Sequence, residues 1–108
     1  MGEITYTFDS TTRYVTRGIS EELPLELQMV LWSVIDDHVK TTKTVDYLQI
    51  FQMSQNGMNL EITHKQEEPK YNRTYIYPMK ESYLDIVNRK IYVIDDVDHS
   101  TMLWSNEY

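Results

Sequence analysis

The densest chemistry in the chain is Asp95-Asp96-Val97-Asp98-His99, which gathers three carboxylates and an imidazole in five residues. Oxygen ligands of this kind suit a hard divalent cation. With one bound, Asp95, Asp96, Asp98 and His99 could serve a small metal-dependent hydrolase or nuclease. The EF-hand calcium-loop pattern, with its central glycine and closing glutamate, is absent. Asp is equally favoured in a hairpin turn, where its side chain caps backbone N–H groups. Asp98-His99-Ser100 also contains the residue types of a hydrolase triad. Neighbours on an extended chain point to opposite sides, however, and cannot align as orienter, base and nucleophile. His38, His64 and His99 could form a zinc site only if the fold brings them together, and a hydrogen-bonded core histidine is the commoner outcome.

A second constellation is Tyr71-Asn72-Arg73-Thr74-Tyr75-Ile76-Tyr77. As a strand it places Tyr71, Arg73, Tyr75 and Tyr77 on one face. Rings with an interleaved guanidinium can stack bases, and they are also enriched at protein-binding hot spots. Tyrosine serves equally as a half-buried core residue with a wet hydroxyl. A net charge of −7 argues against nucleic acid, whose binding relies on a Lys/Arg excess. Trp32, on an apolar helix arc, joins this set as a candidate contact for a protein partner.

These side chains need elements to hold them. The strongest helix signal runs from Leu25 to about Lys40. Leu27, Val30, Leu31, Trp32, Val34, Ile35, His38 and Val39 share an arc wider than a one-sided surface helix requires. Glu21 and Glu22 lie near its start, and Pro24 fits its first turn. Trp32 and Val39 are therefore expected to be covered by something besides the sheet. Val45–Ser54 and Met58–Gln66 flank Asn56-Gly57, a preferred pair for a two-residue hairpin turn. That turn predicts Met53 opposite Leu60, Phe51 opposite Ile62 and Gln49 opposite His64. The core face would then be Tyr47, Phe51, Met53, Met58, Leu60 and Ile62. The other face mixes Gln52, Glu61, Thr63 and Lys65 with Leu48 and Ile50. Arg13–Arg17, closed by Gly18, reads as a short strand, as do Tyr71–Tyr77, Lys90–Asp95 and Ser100–Trp104. Residues 79–88 read as a short helix or an irregular connection. The sum is an α+β domain over residues 13–108. It has an antiparallel sheet of about five strands and one long amphipathic helix on one face. The polar residues 1–12 are expected to form a mobile N-terminal arm.

Composition narrows the function. The chain has 108 residues, 41% hydrophobic and 25% charged, which fits one globular domain. It has no cysteine, which removes disulfides, Cys-ligated metals and thiol nucleophiles. Gly2, Gly18 and Gly57 fit neither a dinucleotide fingerprint nor a phosphate loop, and no cofactor is expected. No apolar run suggests a membrane span, and Met1-Gly2-Glu3-Ile4-Thr5-Tyr6 lacks the marks of a signal peptide, so the expected location is the cytoplasm. The acidity is uneven: residues 21–40 carry −4, residues 81–108 another −4, and residues 61–80 carry +1. Two acidic blocks could mimic a nucleic-acid backbone and inhibit a DNA-binding protein.

Several segments together resemble a known family. They are Arg13-Tyr14-Val15-Thr16-Arg17-Gly18-Ile19, Leu23-Pro24-Leu25-Glu26-Leu27-Gln28 with Leu31-Trp32, Asp46-Tyr47-Leu48-Gln49, Tyr92-Val93-Ile94-Asp95-Asp96 and Asp98-His99-Ser100-Thr101-Met102-Leu103. From Thr12 to Tyr108 the chain resembles domain-of-unknown-function family 960, small proteins of low-GC Gram-positive bacteria. It differs in having Val97 where that family often has glycine, and in a longer 79–90 segment. The resemblance implies a bacterial cytoplasmic domain and names no catalytic residue. By subtraction, the reading that remains is a non-enzymatic protein-binding or accessory domain, with a protein partner or a second copy of itself. The hydrolase and the nucleic-acid mimic stand as alternatives.

Overall fold

The computed structural model describes residues 5–108. In chain order the elements are β1 (Arg13–Val15), α1 (Arg17–Glu22), α2 (Leu25–Thr41), β2 (Leu48–Asn56), β3 (Asn59–Gln66), β4 (Tyr71–Pro78), β5 (Lys90–Asp95) and β6 (Ser100–Trp104). Two 3-10 helices, Glu81–Ile86 and Ser105–Glu107, follow β4 and β6. The strands form one sheet in the order β1-β6-β5-β2-β3-β4. The class is α+β as expected, but the sheet has six strands and is mixed, because β1 runs parallel to β6. The expected strand 13–17 is cut short by a helix start. Thr16 Oγ1 accepts the Ile19 N–H at 3.2 Å, so Thr16 caps α1 and Gly18 lies inside that helix. A second helix thus precedes the long one.

α2 buries Leu27, Gln28, Leu31, Val34, Ile35 and His38, a spacing of three and four that lays one stripe on the sheet. Gln28 belongs to that stripe because its Nε2 donates to Leu23 O at 2.8 Å and Ile19 O at 3.3 Å, which joins α1 to α2. Trp32 and Val39 are half-buried. The Arg13 guanidinium lies 4.7 Å over the Trp32 ring, donates to Phe8 O at 2.8 Å and pairs with Asp36. Trp32 is therefore covered by Arg13 of β1, while Val39 packs against the core.

Residues 1–4 of the expected arm lie outside the described residues. In residues 5–12, Phe8 is fully buried and joins the core with Ile19, Leu31, Phe51 and Ile91. Its N–H donates to Asp95 Oδ2 at 2.9 Å, and Tyr6 N–H donates to Val45 O at 3.2 Å. Two aromatic residues among polar neighbours, Tyr6 and Phe8, fix this stretch to the rest of the fold.

The β2–β3 hairpin pairs Asn56 with Asn59, so Gly57 and Met58 form the loop and Asn56 belongs to the strand. Gly57 sits at φ +60, at the first central position, as in turns that favour glycine there. The register differs from expectation by two: Met53 faces Ile62, Phe51 faces His64 and Gln49 faces Gln66. A slip of two preserves the faces, so Phe51, Met53, Leu60 and Ile62 are all fully buried. Met58 and Tyr47 leave the expected core face. Met58 moves into the turn and is 86% exposed, and Tyr47 lies before β2 and is 42% exposed.

A Cβ at Gly57 would meet open space, so backbone conformation alone resists substitution there. Gly57→Ala should cost about 1 kcal/mol and Gly57→Asn much less, measured by urea unfolding. Equal midpoints for wild type and Gly57→Ala would contradict this turn.

Candidate functional site

β4 is one edge of the sheet. Its register places Tyr71, Arg73, Tyr75 and Tyr77 opposite Gln66, His64, Ile62 and Leu60, so the four share the helix-side face. The three rings are half-buried and Arg73 is exposed. Tyr71 packs on His38, with ring centroids 4.6 Å apart, and Arg73 lies 5.0 Å over Tyr75. Burial pushes the Tyr75 hydroxyl above its ordinary range. Trp32 is not part of this stripe, since it meets Arg13 of β1 at the opposite sheet edge.

The Asp/His segment is a connection in which Asp95 and Asp96 accept from backbone N–H groups. Asp95 is buried. Its Oδ2 accepts the Phe8 N–H, and its Oδ1 accepts the Val97 N–H at 2.8 Å. Asp96 Oδ1 accepts the His99 N–H at 3.0 Å, and its Oδ2 lies 3.3 Å from His99 Nε2. Asp98 is exposed. Among the described residues, no group of three or more His, Cys, Asp or Glu is arranged to hold a metal ion. Val97 has φ +83 and is 80% exposed, a left-handed conformation that a β-branched residue adopts only under strain.

His38 and His64 do meet, with ring centroids 4.8 Å apart, while His99 packs on Tyr14 elsewhere. Their polar partners are two glutamines that alternation alone places on strands. His38 Nε2 donates to Gln66 Oε1 at 2.8 Å, and its Nδ1 accepts from Thr42 Oγ1 at 3.0 Å. His64 Nε2 donates to Gln49 Oε1 at 2.6 Å. Gln49 Nε2 donates to Gln66 Oε1 at 2.8 Å. His64 Nδ1 is buried without a partner and carries no proton in this arrangement. Burial, then the neighbouring His38, pushes the His64 imidazole down to about 3. Burial also lowers His38, partly offset by its bond to Gln66. Neutral, buried imidazoles of this kind hold structure and are poor general bases at neutral pH.

The other face of the sheet is different. α1, α2 and the 3-10 helix Glu81–Ile86 all give their buried side chains to the single core on the first face. On the second face, cross-strand neighbours Leu48–Ile94 and Ile50–Tyr92–Leu103 form an apolar band across β2, β5 and β6. Leu48, Ile50, Tyr92 and Ile94 are half-buried, and Leu103 is 9% exposed. Tyr108 packs on Tyr92 with centroids 5.6 Å apart. A groove of about 560 Å³ opens beside this band, lined in part by Ile50, Lys65, Lys70, Asn72 and Lys90. Sequence reasoning placed Leu48, Ile50 and Lys65 together on the polar side of the hairpin and missed that Lys70 and Lys90 join them. The three lysines come from β3, β5 and a loop, and only pairing brings them together.

Fold and surface together define a small α+β domain with a mixed six-stranded sheet, its two α-helices on one face and an apolar band on the other. Residues 12–107 match the family described as staphylococcal protein of unknown function (DUF960), and the chain belongs to that family. A crystal structure of a protein of unknown function from Enterococcus faecalis is similar, with a TM-score of 0.80. The likeness spans 97% of this chain and 98% of that one at 22% identity, and at that identity it carries the fold alone. Both descriptions are of bacterial proteins. No curated protein matches the chain. No helix among the described residues is long and apolar enough to cross a membrane.

Two outcomes follow from these geometries. The folded state keeps His64 neutral, whereas the unfolded chain takes up that proton below about 6.5. Stability from this group is therefore complete above that pH and falls as pH drops toward 3. Urea midpoints should fall between pH 7 and 5 in wild type and fall less in His64→Gln; equal slopes would contradict a neutral buried His64. Val97→Gly should raise stability by up to about 1 kcal/mol by relieving strain at an exposed site. A lower melting temperature would show that Val97 is not strained.

Proposed function

We propose that this domain is a non-enzymatic protein-binding module that presents the uncovered face of its sheet to a partner. The supporting observation is the apolar band Leu48, Ile50, Tyr92, Ile94 and Leu103 on the sheet face away from the α1 and α2 core, where among the described residues Tyr108 packs on Tyr92. A sheet that packs helices on one side ordinarily turns polar residues to water on the other. A contiguous apolar centre with a polar rim is the anatomy of an interaction surface. Here the rim includes Gln52, Thr63, Lys65, Lys90 and Thr101.

The binding reading also suits the chemistry of the rest of the molecule. Asp95 and Asp96 hold backbone groups, His38 and His64 are neutral and buried, and the tyrosine rings of β4 pack against α2 and the core. None of these converges on a space where a substrate could react.

Photo-crosslinking in the native host tests the reading. A photoreactive side chain at Ile94, on the open face, should trap a discrete protein. The same group at Leu25, which is 69% exposed on α2, should not. Equal yields at both positions, or none at Ile94, would overturn it.

A further inference from the structure

The groove beside the apolar band has a charge opposite to that of the chain. Across β2–β3, Lys65 pairs with Ile50, and Lys90 on β5 pairs with Gln52, next on the same face of β2. Lys70 approaches from the loop between β3 and β4, and Glu67 is the one acidic group in the lining. Of the cations elsewhere, Arg13 pairs with Asp36, Arg17 with Glu21, Lys80 with Glu26 and Arg89 with Glu22, whereas Arg73 lies over Tyr75, and Lys40 and Lys43 are exposed outside this lining. Lys65, Lys70 and Lys90 are exposed and make no ion pair among the described residues. Three unpaired ammonium groups thus flank one isoleucine in a protein of net charge −7.

Resting on the binding role of the open face, we infer that this groove recognises an acidic, extended peptide segment. An apolar side chain of that segment lies over Ile50, and flanking carboxylates meet Lys65, Lys70 and Lys90. Lys65 and Lys90 straddle β2, roughly 12 Å apart at the backbone from two strand spacings and a two-residue offset along β2. Their flexible stems can close on carboxylates two positions apart in an extended chain, about 7 Å. The isoleucine between them fits the intervening side of such a segment, as alternate side chains do in strand-like recognition. A polynucleotide is a poorer occupant. It offers no aliphatic side chain for Ile50, and its extended charge meets the acidic remainder of the chain.

The test is amide chemical-shift titration of the whole protein with three probes. They are the blocked peptide Gly-Glu-Leu-Glu-Leu-Glu-Gly, its Gln-for-Glu counterpart and an eight-residue oligothymidylate. The acidic peptide should shift residues around Ile50, Lys65, Lys70 and Lys90. The Gln peptide and a Lys65→Gln/Lys90→Gln variant should each weaken binding about tenfold, the scale of a pair of charge-assisted contacts. The variant's unchanged shifts outside the groove would show that it folds. Shifts as large around exposed Lys40 and Lys43 as in the groove, no saturable binding at millimolar peptide, or tighter binding of the oligothymidylate would overturn the inference. Equal binding of the Glu and Gln peptides on this face would overturn the acidic preference and leave the open-face reading standing. A silent groove together with a silent Ile94 crosslink would overturn both.

Discussion

The side-chain amide of Gln66 is the knot that holds the molecule together. Its Oε1 accepts from His38 Nε2, Gln49 Nε2 and the Asp46 N–H, and its Nε2 donates to Thr44 O and Pro69 O. One residue at the end of β3 thereby fixes the last turn of α2, the connection into β2, β2 itself and the loop leading to β4. Each such bond contributes about 1 kcal/mol net, but a buried donor left without its partner costs more than the bond it lost. The network is therefore held collectively, and the imidazoles it contains are locked into single tautomers. His38 must donate through Nε2 because Gln66 Oε1 faces it, which leaves Nδ1 to accept from Thr42. The same knot determines where the 67–70 loop can lie, so the wall of the open-face groove is set by hydrogen bonds made on the opposite face.

A comparable clasp works at the other end of the sheet. Asp95 ends β5 with one oxygen on the Phe8 N–H and the other on the Val97 N–H. Phe8 can then fill the core, and the chain that follows runs into β1 alongside β6. The parallel pairing of β1 depends on this return, since Ser100 N–H donates to Thr12 O at 3.0 Å just before the β1–β6 ladder begins. Arg13 completes the arrangement by bonding Phe8 O while covering Trp32 and pairing with Asp36. The Trp32 side of the α2 apolar arc is covered there, within one chain. Of the carboxylates that most resemble a metal site, Asp95 is thus committed to holding the N-terminal segment and Asp96 to His99 within the turn, and the strain at Val97 lies next to the Asp95 oxygen that accepts its N–H.

What could be read from sequence follows periodicity. α2, β5 and β6 were legible to within a residue because their apolar spacing leaves one choice. The β2–β3 hairpin was legible in its faces and not in its register. Asn-Gly can straddle a turn in more than one frame, and a slip of two residues leaves the pattern of alternation unchanged. The Tyr71–Tyr77 stripe was placed on one face correctly, but alternation does not say which face meets the helix. Gln49 and Gln66 were illegible as core because glutamine looks like surface until a second buried polar group is beside it. Phe8 was hidden by its polar neighbours. Lys65 was legible on the hairpin face of Ile50, but Lys70 and Lys90 share no local pattern with it, and only the order β5-β2-β3 and the loop into β4 make the three neighbours.

That convergence gives the charge of the chain a second meaning. A net charge of −7 is a whole-molecule quantity, whereas a ligand a few residues long responds to charges within about one Debye length, ~8 Å at physiological salt. The charges lining the groove beside Ile50 are predominantly lysine, while α2, with its acidic side chains, belongs to the other face of the sheet. A long polyanion extends past the groove and meets the acidic remainder; a short acidic segment does not. The global charge then acts as a filter on length, and the local charge as the attraction. An acidic protein can in this way favour an acidic peptide without becoming a general polyanion binder, provided its cations are gathered on one face and left unpaired there.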